Sequence, residues 1–486
     1  MIDSVDQGFD LGCLPTHRTK VCESIPITTR KQRLLTLKKA NYNLFQIASR
    51  DVTVDLLTDS GTAAMSAAQW GALIQGDEAY AGSRSFEQFQ NTVQTLTGFE
   101  HVIPTHQGRA AERLLCSLLL KPGQYVLANH HFDTTRANVE MTGAIAMDLP
   151  CSEYQKDDPS APFKGNIDLE LLEQFLSQHA PSNIGFVLLT ITDNSAGGQP
   201  VSLQNALEVS RLAKEHGVPL YLDAARFAEN AWFSKKYDPS LARRSLTEIA
   251  LSFFSLADGC LMSAKKNGLA NIGGFLAIRD QEITDKLREL CTLWEGFPTY
   301  GGLAGRDLAA IAVGLEECIE EGILRGRIAQ VHRLGNALVS HGFPVQTPFG
   351  GHAVFIDAAR ALPHLEPKDF PGHALACAFY LEGGIRTVEV GSLMLGRGIP
   401  DTPDFVPAER EWLRLAVPAR VYGNDWCDYT ALVGRNLLQN RSQIPPYRLI
   451  RSPERLRHFT ATLAPEFRNV LPDVNECRVK GTPFVR

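Results

Sequence analysis

Residues 219–230 read PLYLDAARFAEN: a short apolar run that ends on a carboxylate, Asp223, and leads into a helix-forming stretch. Before it, 205–216 sets Leu207, Val209 and Leu212 on one predicted helical face and stops at Gly217. The same alternation extends outward. QYVLAN (124–129), AIAMDL (144–149), GFVLLTIT (185–192) and GFLAI (274–278) are runs of four to eight residues, apolar throughout rather than at every second position. Strands covered on both faces have that character. Between them, 108–120 places Ala111, Leu114, Leu115 and Leu118 on one face of a helix. Strand–helix alternation of this kind predicts an α/β fold, a mostly parallel sheet with helices on both sides.

The C-terminal third has a different texture. Residues 320–345 read as a long helix carrying Leu324, Ile328, Val331, Leu334 and Leu338, ending at Gly342. HAVFIDA (352–358), IRTVEVG (385–391) and LRLAVP (413–418) follow, separated by Pro- and Gly-rich links. A second, smaller α/β domain is expected there.

Composition narrows the function. The chain has 486 residues, 44% hydrophobic and 21% charged, which is ordinary for globular proteins and sets disorder aside. A net charge of -6 and a pI near 6.1 provide no basic field for nucleic acid. No apolar run reaches the roughly 18 residues of a membrane span, and the acidic start MIDSVDQGFDLG lacks the features of a secretory leader. Ten scattered cysteines without a CxxC pair suit a reducing compartment, so a cytoplasmic protein is expected.

Three segments carry chemistry. Asp223 ends a strand, where open α/β sheets place ligands, and Arg226 follows three residues later; alone, the two read equally well as a surface ion pair. In DGCLMSAKKNGLANIGGF (258–275), Lys265 and Lys266 follow a short strand and Ser263. Paired lysines are usually solvated, yet one lysine in a desolvated cleft has the lowered pKa that Schiff-base chemistry needs. In PTHQGRAAERLL (104–115), Gln107, Gly108 and Arg109 open a helix whose N-terminal N–H groups suit an anion, most simply a phosphate. Phosphate cradle, carboxylate and lysine on one sheet match the requirements of pyridoxal 5'-phosphate, whose ring needs an acidic partner and whose aldehyde needs an amine.

These segments, with LLTDSGTAAMSAAQWGALIQGDEAYAGSRSF (56–86), HFDTTR (131–136), ITDNSAGGQPVS (191–202), EGFPTYGGLAGR (295–306), GGHAVFIDA (350–358) and EVGSLMLGR (389–397), resemble the tryptophanase and tyrosine phenol-lyase family, from about residue 30 to 464. The resemblance implies a fold type I enzyme that uses pyridoxal phosphate and a monovalent cation (potassium or ammonium), assembled as a homotetramer. Its large domain would hold a mostly parallel seven-stranded sheet. The implied division is an N-terminal arm (1–28), a small domain (29–59 with 319–486, of which 466–486 is a tail) and a large cofactor-binding domain (60–318).

Residue by residue, the resemblance assigns the cofactor's lysine to Lys266, a choice the residues alone leave open against Lys265. Gln107, Gly108, Arg109, Ser263 and Lys265 match phosphate-site positions. Asp223 matches the partner of the ring nitrogen, Arg226 lies near the ring's phenolic oxygen, and Phe132 stacks on the ring. Arg414 and Asn194 match the clamp on the substrate carboxylate, and Tyr80 the general acid. Gly61 and Asn271, with Glu78 from a neighbouring subunit, match the cation site.

The family's branches differ in the leaving-group pocket. Asp133, Val390 and His458 each resemble the tryptophan-cleaving branch rather than the phenol-releasing one, which implies cleavage of L-tryptophan to indole, pyruvate and ammonia. Asn267 stands where relatives usually carry Asp. An S-substituted cysteine or L-tyrosine is the alternative substrate, and a non-catalytic cofactor-binding protein a further alternative. His130 and His131 lack ligand spacing for a metal and read as structural; Trp294 and Trp412 read as packing.

Overall fold

In a computed structural model describing residues 16–466, the apolar runs assemble into one seven-stranded sheet. Its strands are β1 (His101–Thr105), β2 (Tyr125–Ala128), β3 (Ile145–Asp148), β4 (Ile184–Thr190), β5 (Leu220–Asp223), β6 (Gly259–Ser263) and β7 (Gly274–Ile278), in the order β1–β7–β6–β5–β4–β2–β3. Only β7, the GFLAI run, opposes its neighbours. Strand β1 escapes the sequence pattern because it carries Pro104, which is tolerated at the sheet edge that β1 occupies.

Alternate residues of these strands enter two different cores. Leu127, Val187, Leu189, Leu220, Leu222 and Met262 face one, while Val126, Phe186, Leu188, Tyr221 and Leu261 face the other. Burial on both faces explains why the runs are apolar at every position.

Helices pack on either side: α1 (Ala67–Gln75), α2 (Gly108–Leu119), α3 (Asp133–Met141), α4 (Leu203–Glu215), α5 (Phe227–Tyr237), α6 (Gln281–Trp294), α7 (Gly305–Cys318) and α8 (Glu321–Ser340). Helix α2 buries Ala111, Leu114 and Leu115 as its periodicity predicts. In α4 the predicted Val209 and Leu212 are buried and only Leu207 departs from the predicted face. Ala206, Val209 and Ala213 are buried, whereas Leu207 is 42% exposed, because 206, 209 and 213 share the three- and four-residue spacing of one face.

A third core gathers residues 37–56 with residues from 331 to 463. Within it β8 (Ala353–Asp357), β9 (Val388–Val390) and β10 (Trp412–Ala416) form an antiparallel sheet in the order β9–β10–β8. Helix α8 joins this core to the first: Leu324 packs in one, Val331, Leu334 and Leu338 in the other. It stops at Ser340, and Gly342 at φ +90 makes the turn. The first fifteen residues of the expected arm and the tail beyond Glu466 lie outside the described residues.

The eight described cysteines are unbonded, and all but Cys22 are buried. Among the described residues no helix is long and apolar enough to cross a membrane.

Candidate active site

The carboxyl ends of the parallel strands open onto one cleft. Gln107, extended at φ -168, leads into α2, whose first residue is Gly108. A Cβ on Gly108 would lie 2.6 Å from Ser263 Cβ, so glycine here seats the helix start directly on the end of β6. The sequence alone suggests only an approach to an anion. The free N–H groups of this helix start face a cleft that Arg109, Ser263 and Lys265 also line.

Asp223, Arg226, Lys266 and Phe132 line the same cleft. Burial pushes the Asp223 carboxyl up, while the Ala225 N–H, Lys266 and Arg226 pull it back. Burial, aided by the Arg226 charge, draws the Lys266 ammonium down to about 8, so about a fifth of this amine is neutral near pH 7.4, against roughly a thousandth for an exposed lysine. Arg226 makes a bidentate ion pair with Asp59, at 2.7 and 3.0 Å. Burial opposes the Asp59 anion, but the Arg226 and Arg327 guanidiniums outweigh it and hold the carboxyl well below the usual range.

Arg414, in the middle of β10, reaches this region from the small sheet. Its Nη1 donates to Asn194 Oδ1 at 3.2 Å and Nη2 to the Leu57 carbonyl at 3.4 Å, and its buried Nε has no partner among the described residues. Burial lowers the guanidinium to about 10. His352 Nε2 lies 3.0 Å from the same Asn194 oxygen; burial and neighbouring arginines hold its ring neutral, so it donates. With Oδ1 taken twice, the Asn194 amide N–H groups are left for a ligand. A buried guanidinium with a spare donor suits a carboxylate.

Asp133, between the cleft-lining Phe132 and Thr134, has its Oδ2 3.0 Å from Nε2 of His458, which itself lines a second cavity with Asn43, Phe45 and His373. Val390 is buried on β9, packed with Ala353, Phe355, Trp412 and Met394. Trp412 is thus packing, and Trp294 lies under the Arg113 guanidinium. His130 pairs with Asp193 at 2.7 Å and His131 with Asp148 at 2.6 Å, which gives both imidazoles carboxylate partners.

The chain does not bring every expected residue to its own cleft. Tyr80 is 69% exposed and rests against Phe297 and Tyr300, each 5.4 Å between ring centres. Glu78 pairs with Arg306 at 2.9 Å. Gly61 and Asn271 do adjoin, but the Gly61 carbonyl accepts the Asn271 side-chain amide at 3.0 Å.

Sequence reading missed several polar residues here. Glu112 lines the cleft, and its signal was spacing, three residues after Arg109 on one helical face. Asp59 and Arg327 had none, because their pairing joins segments far apart in the chain. Asn267 is fully engaged: its amide donates to Glu229 at 2.6 Å and its oxygen accepts the Ala228 N–H at 2.8 Å.

The fold resembles that of a serine palmitoyltransferase from Sphingomonas wittichii, with a TM-score of 0.54 at 15% identity over 81% of this chain and 88% of that one. This likeness concerns the fold, which is that of fold type I enzymes. A tryptophanase from Salinibacter ruber is 50% identical over 92% of this chain and 95% of its own. A tryptophanase from Hyphomonas neptunium is 50% identical over 91% and 97%, and a tyrosine phenol-lyase from Fusobacterium nucleatum 44% over 91% and 96%. The sequence profile described as "Beta-eliminating lyase" matches residues 55–432. This chain is therefore a member of the beta-eliminating lyase family, a pyridoxal-phosphate-dependent lyase.

Proposed function

We propose that this protein cleaves the Cβ–Cγ bond of L-tryptophan, yielding indole, pyruvate and ammonia. The observation that carries the class of chemistry is the spare Nε of buried Arg414 beside a cleft holding Lys266 and Asp223. The donor set fits the cofactor. Gln107, Gly108, Arg109, Ser263 and Lys265 would take its phosphate, and Phe132 would stack on its ring. Asp223 would hold a proton on the ring nitrogen and Arg226 would neighbour the phenolic oxygen. When bound, pyridoxal phosphate supplies a conjugated ring that accepts the electron pair left at Cα.

The chain's own residues do the rest. Lys266 would be the amine that holds the cofactor through its aldehyde, and its ε-amino group, once free, would carry the α-proton. Arg414 and Asn194 would clamp the α-carboxylate and so fix the substrate's orientation in the cleft. Asp133 and His458 are the polar pair for the indole N–H, and Val390 gives the ring an apolar wall. Protonation at indole C3 turns the ring into a usable leaving group. We assign that proton to Tyr80 of a neighbouring copy, since Tyr80 stands outside the cleft of its own chain. The homotetramer, the division into a large domain (60–318) and a small one, and a potassium or ammonium site at Gly61 and Asn271 with a neighbour's Glu78 belong to the same proposal, as does a cytoplasmic location.

The experiment is a substrate panel on the cofactor-loaded protein, with kcat/KM followed through pyruvate and the released arene or thiol together. Tryptophan should lead, with indole and pyruvate in equal amounts. A preference for tyrosine or for S-alkylcysteines overturns the substrate assignment.

A further inference from the structure

The cleft holds a carboxyl that the reaction above leaves unused. Glu112 lies on α2, one turn beyond Arg109, and only 5% of it is exposed. Its hydrogen-bond partners are uncharged and come from α3: Thr135 Oγ1 at 3.0 Å from Oε1, Asn138 Nδ2 at 3.1 Å from Oε2, and the Thr134 hydroxyl. Asp223 differs, accepting the Ala225 N–H at 3.1 Å and facing Lys266 and Arg226. Two carboxylates ionised in one dry cleft repel each other. The one with cationic neighbours keeps its charge, and the other takes the proton.

The remaining surroundings agree with that division. Acting on Glu112 from the sheet side are the charges of Asp223 at the end of β5 and Lys266 after β6, and Cys116 is the titratable group one turn along its own helix. From α3, Asp133 turns its Oδ1 to the Thr134 N–H and its Oδ2 to His458. Strands β1, β6 and β7 and helix α6 meet α2 through an apolar cluster that includes Ile103, Leu261, Leu276, Leu287 and Cys291. Burial and the Asp223 charge push the Glu112 carboxyl up to about 7.

We propose that Glu112 is a positioning residue that carries a proton beside ionised Asp223, and so spares the cleft a second negative charge when the cofactor's phosphate dianion enters. This rests on the reading that the cleft takes pyridoxal phosphate. Thr135 Oγ1 and Asn138 Nδ2 both donate to the Glu112 carboxyl, and in the neutral state Asn138 still donates to its carbonyl oxygen while the Thr135 hydroxyl loses the charge it favours. Raising the pH through about 7 ionises Glu112 and places an anion one helical turn from Arg109, where it opposes the phosphate.

The test titrates pyridoxine 5'-phosphate, which has the ring and phosphate but no aldehyde for Lys266, into the cofactor-free protein by calorimetry from pH 6 to 8.5. Ionisations of the probe are common to every variant, so differences between variants report Glu112 and the Lys266 charge coupled to it. Wild-type affinity should fall roughly 3- to 10-fold more over this range than that of Glu112→Gln. Thr135→Val, which removes a hydroxyl that favours the carboxylate, should move the fall to higher pH. Matching curves for wild type and Glu112→Gln, or a tenfold loss for Glu112→Gln already at pH 6, overturn this proposal alone. Should Glu112→Gln not fold, an unmoved Thr135→Val curve overturns it. No binding by the wild type at any pH overturns the cofactor reading and this proposal with it.

Discussion

Asp133 Oδ2 lies 3.0 Å from His458 Nε2, although Asp133 opens α3 immediately after Phe132 and His458 comes from the C-terminal segment of the small unit. Both side chains are buried, and neither ring nitrogen of His458 has an aligned hydrogen-bond partner among the described residues. A buried imidazole with open valences beside a carboxylate is prepared to take up a polar ligand atom.

Replacing that imidazole should therefore separate substrates. His458→Phe is expected to lower kcat/KM for tryptophan roughly 10- to 100-fold, the cost of leaving a polar partner unpaired in a dry site. S-alkylcysteines, whose leaving group needs no such partner, should change little. Equal losses for both, read from pyruvate release, would remove the pair from leaving-group recognition.

Lys266 should capture aldehydes at unusually low pH. Its ammonium titrates near 8 in the folded protein, so the neutral amine accumulates above that value. The rate of pyridoxal phosphate incorporation, followed by absorbance, should rise with pH and level off above about 8. An ordinary exposed lysine would keep rising to roughly 10.4. Lys266→Ala should abolish the non-dialysable coloured adduct while Lys265→Ala retains it.

The Asp59 cluster makes a stability prediction with a defined sign. Its folded pKa is depressed, so the stabilisation is fully present above the unfolded value, near 3.8, and is lost as pH falls from there through the folded value. Asp59→Asn leaves buried Arg226 and Arg327 short of a counter-charge and should cost about 3–5 kcal/mol at pH 7. In urea titrations the gap from wild type should shrink below pH 4 and stay constant between pH 6 and 8. A gap that is unchanged at pH 3 would place the effect elsewhere.

Tyr80 offers a test of assembly. Tyr80→Phe and Lys266→Ala should each be nearly inactive on tryptophan. If Tyr80 serves a neighbouring cleft, dissociating and reassembling an equal mixture creates sites with both native residues, up to roughly a quarter of wild-type activity for paired subunits. Mixtures as inactive as their parents would return Tyr80 to its own chain.

The α/β class and the placing of Asp223, Lys265 and Lys266 at strand ends were legible because buried parallel strands are apolar at every position and so stand out in a single chain. The helix start at Gly108 was legible for a similar local reason, although its glycine proved to serve contact with Ser263. Motif resemblance extended this reading to Arg414 and Asn194, which the residues alone do not connect.

What sequence by itself determined, then, are the features carried by neighbours along the chain: hydrophobic period, helix starts and the short motifs. Only tertiary structure decided which charges meet. The pairing of Arg226 with Asp59, the orphaned Nε of Arg414, the approach of His458 to Asp133 and the burial of Glu112 beside Asp223 all join segments distant in sequence. Periodicity reports which face of an element is buried. It does not report what that face meets, and ionisation in a dry cleft depends on the charges it encounters there.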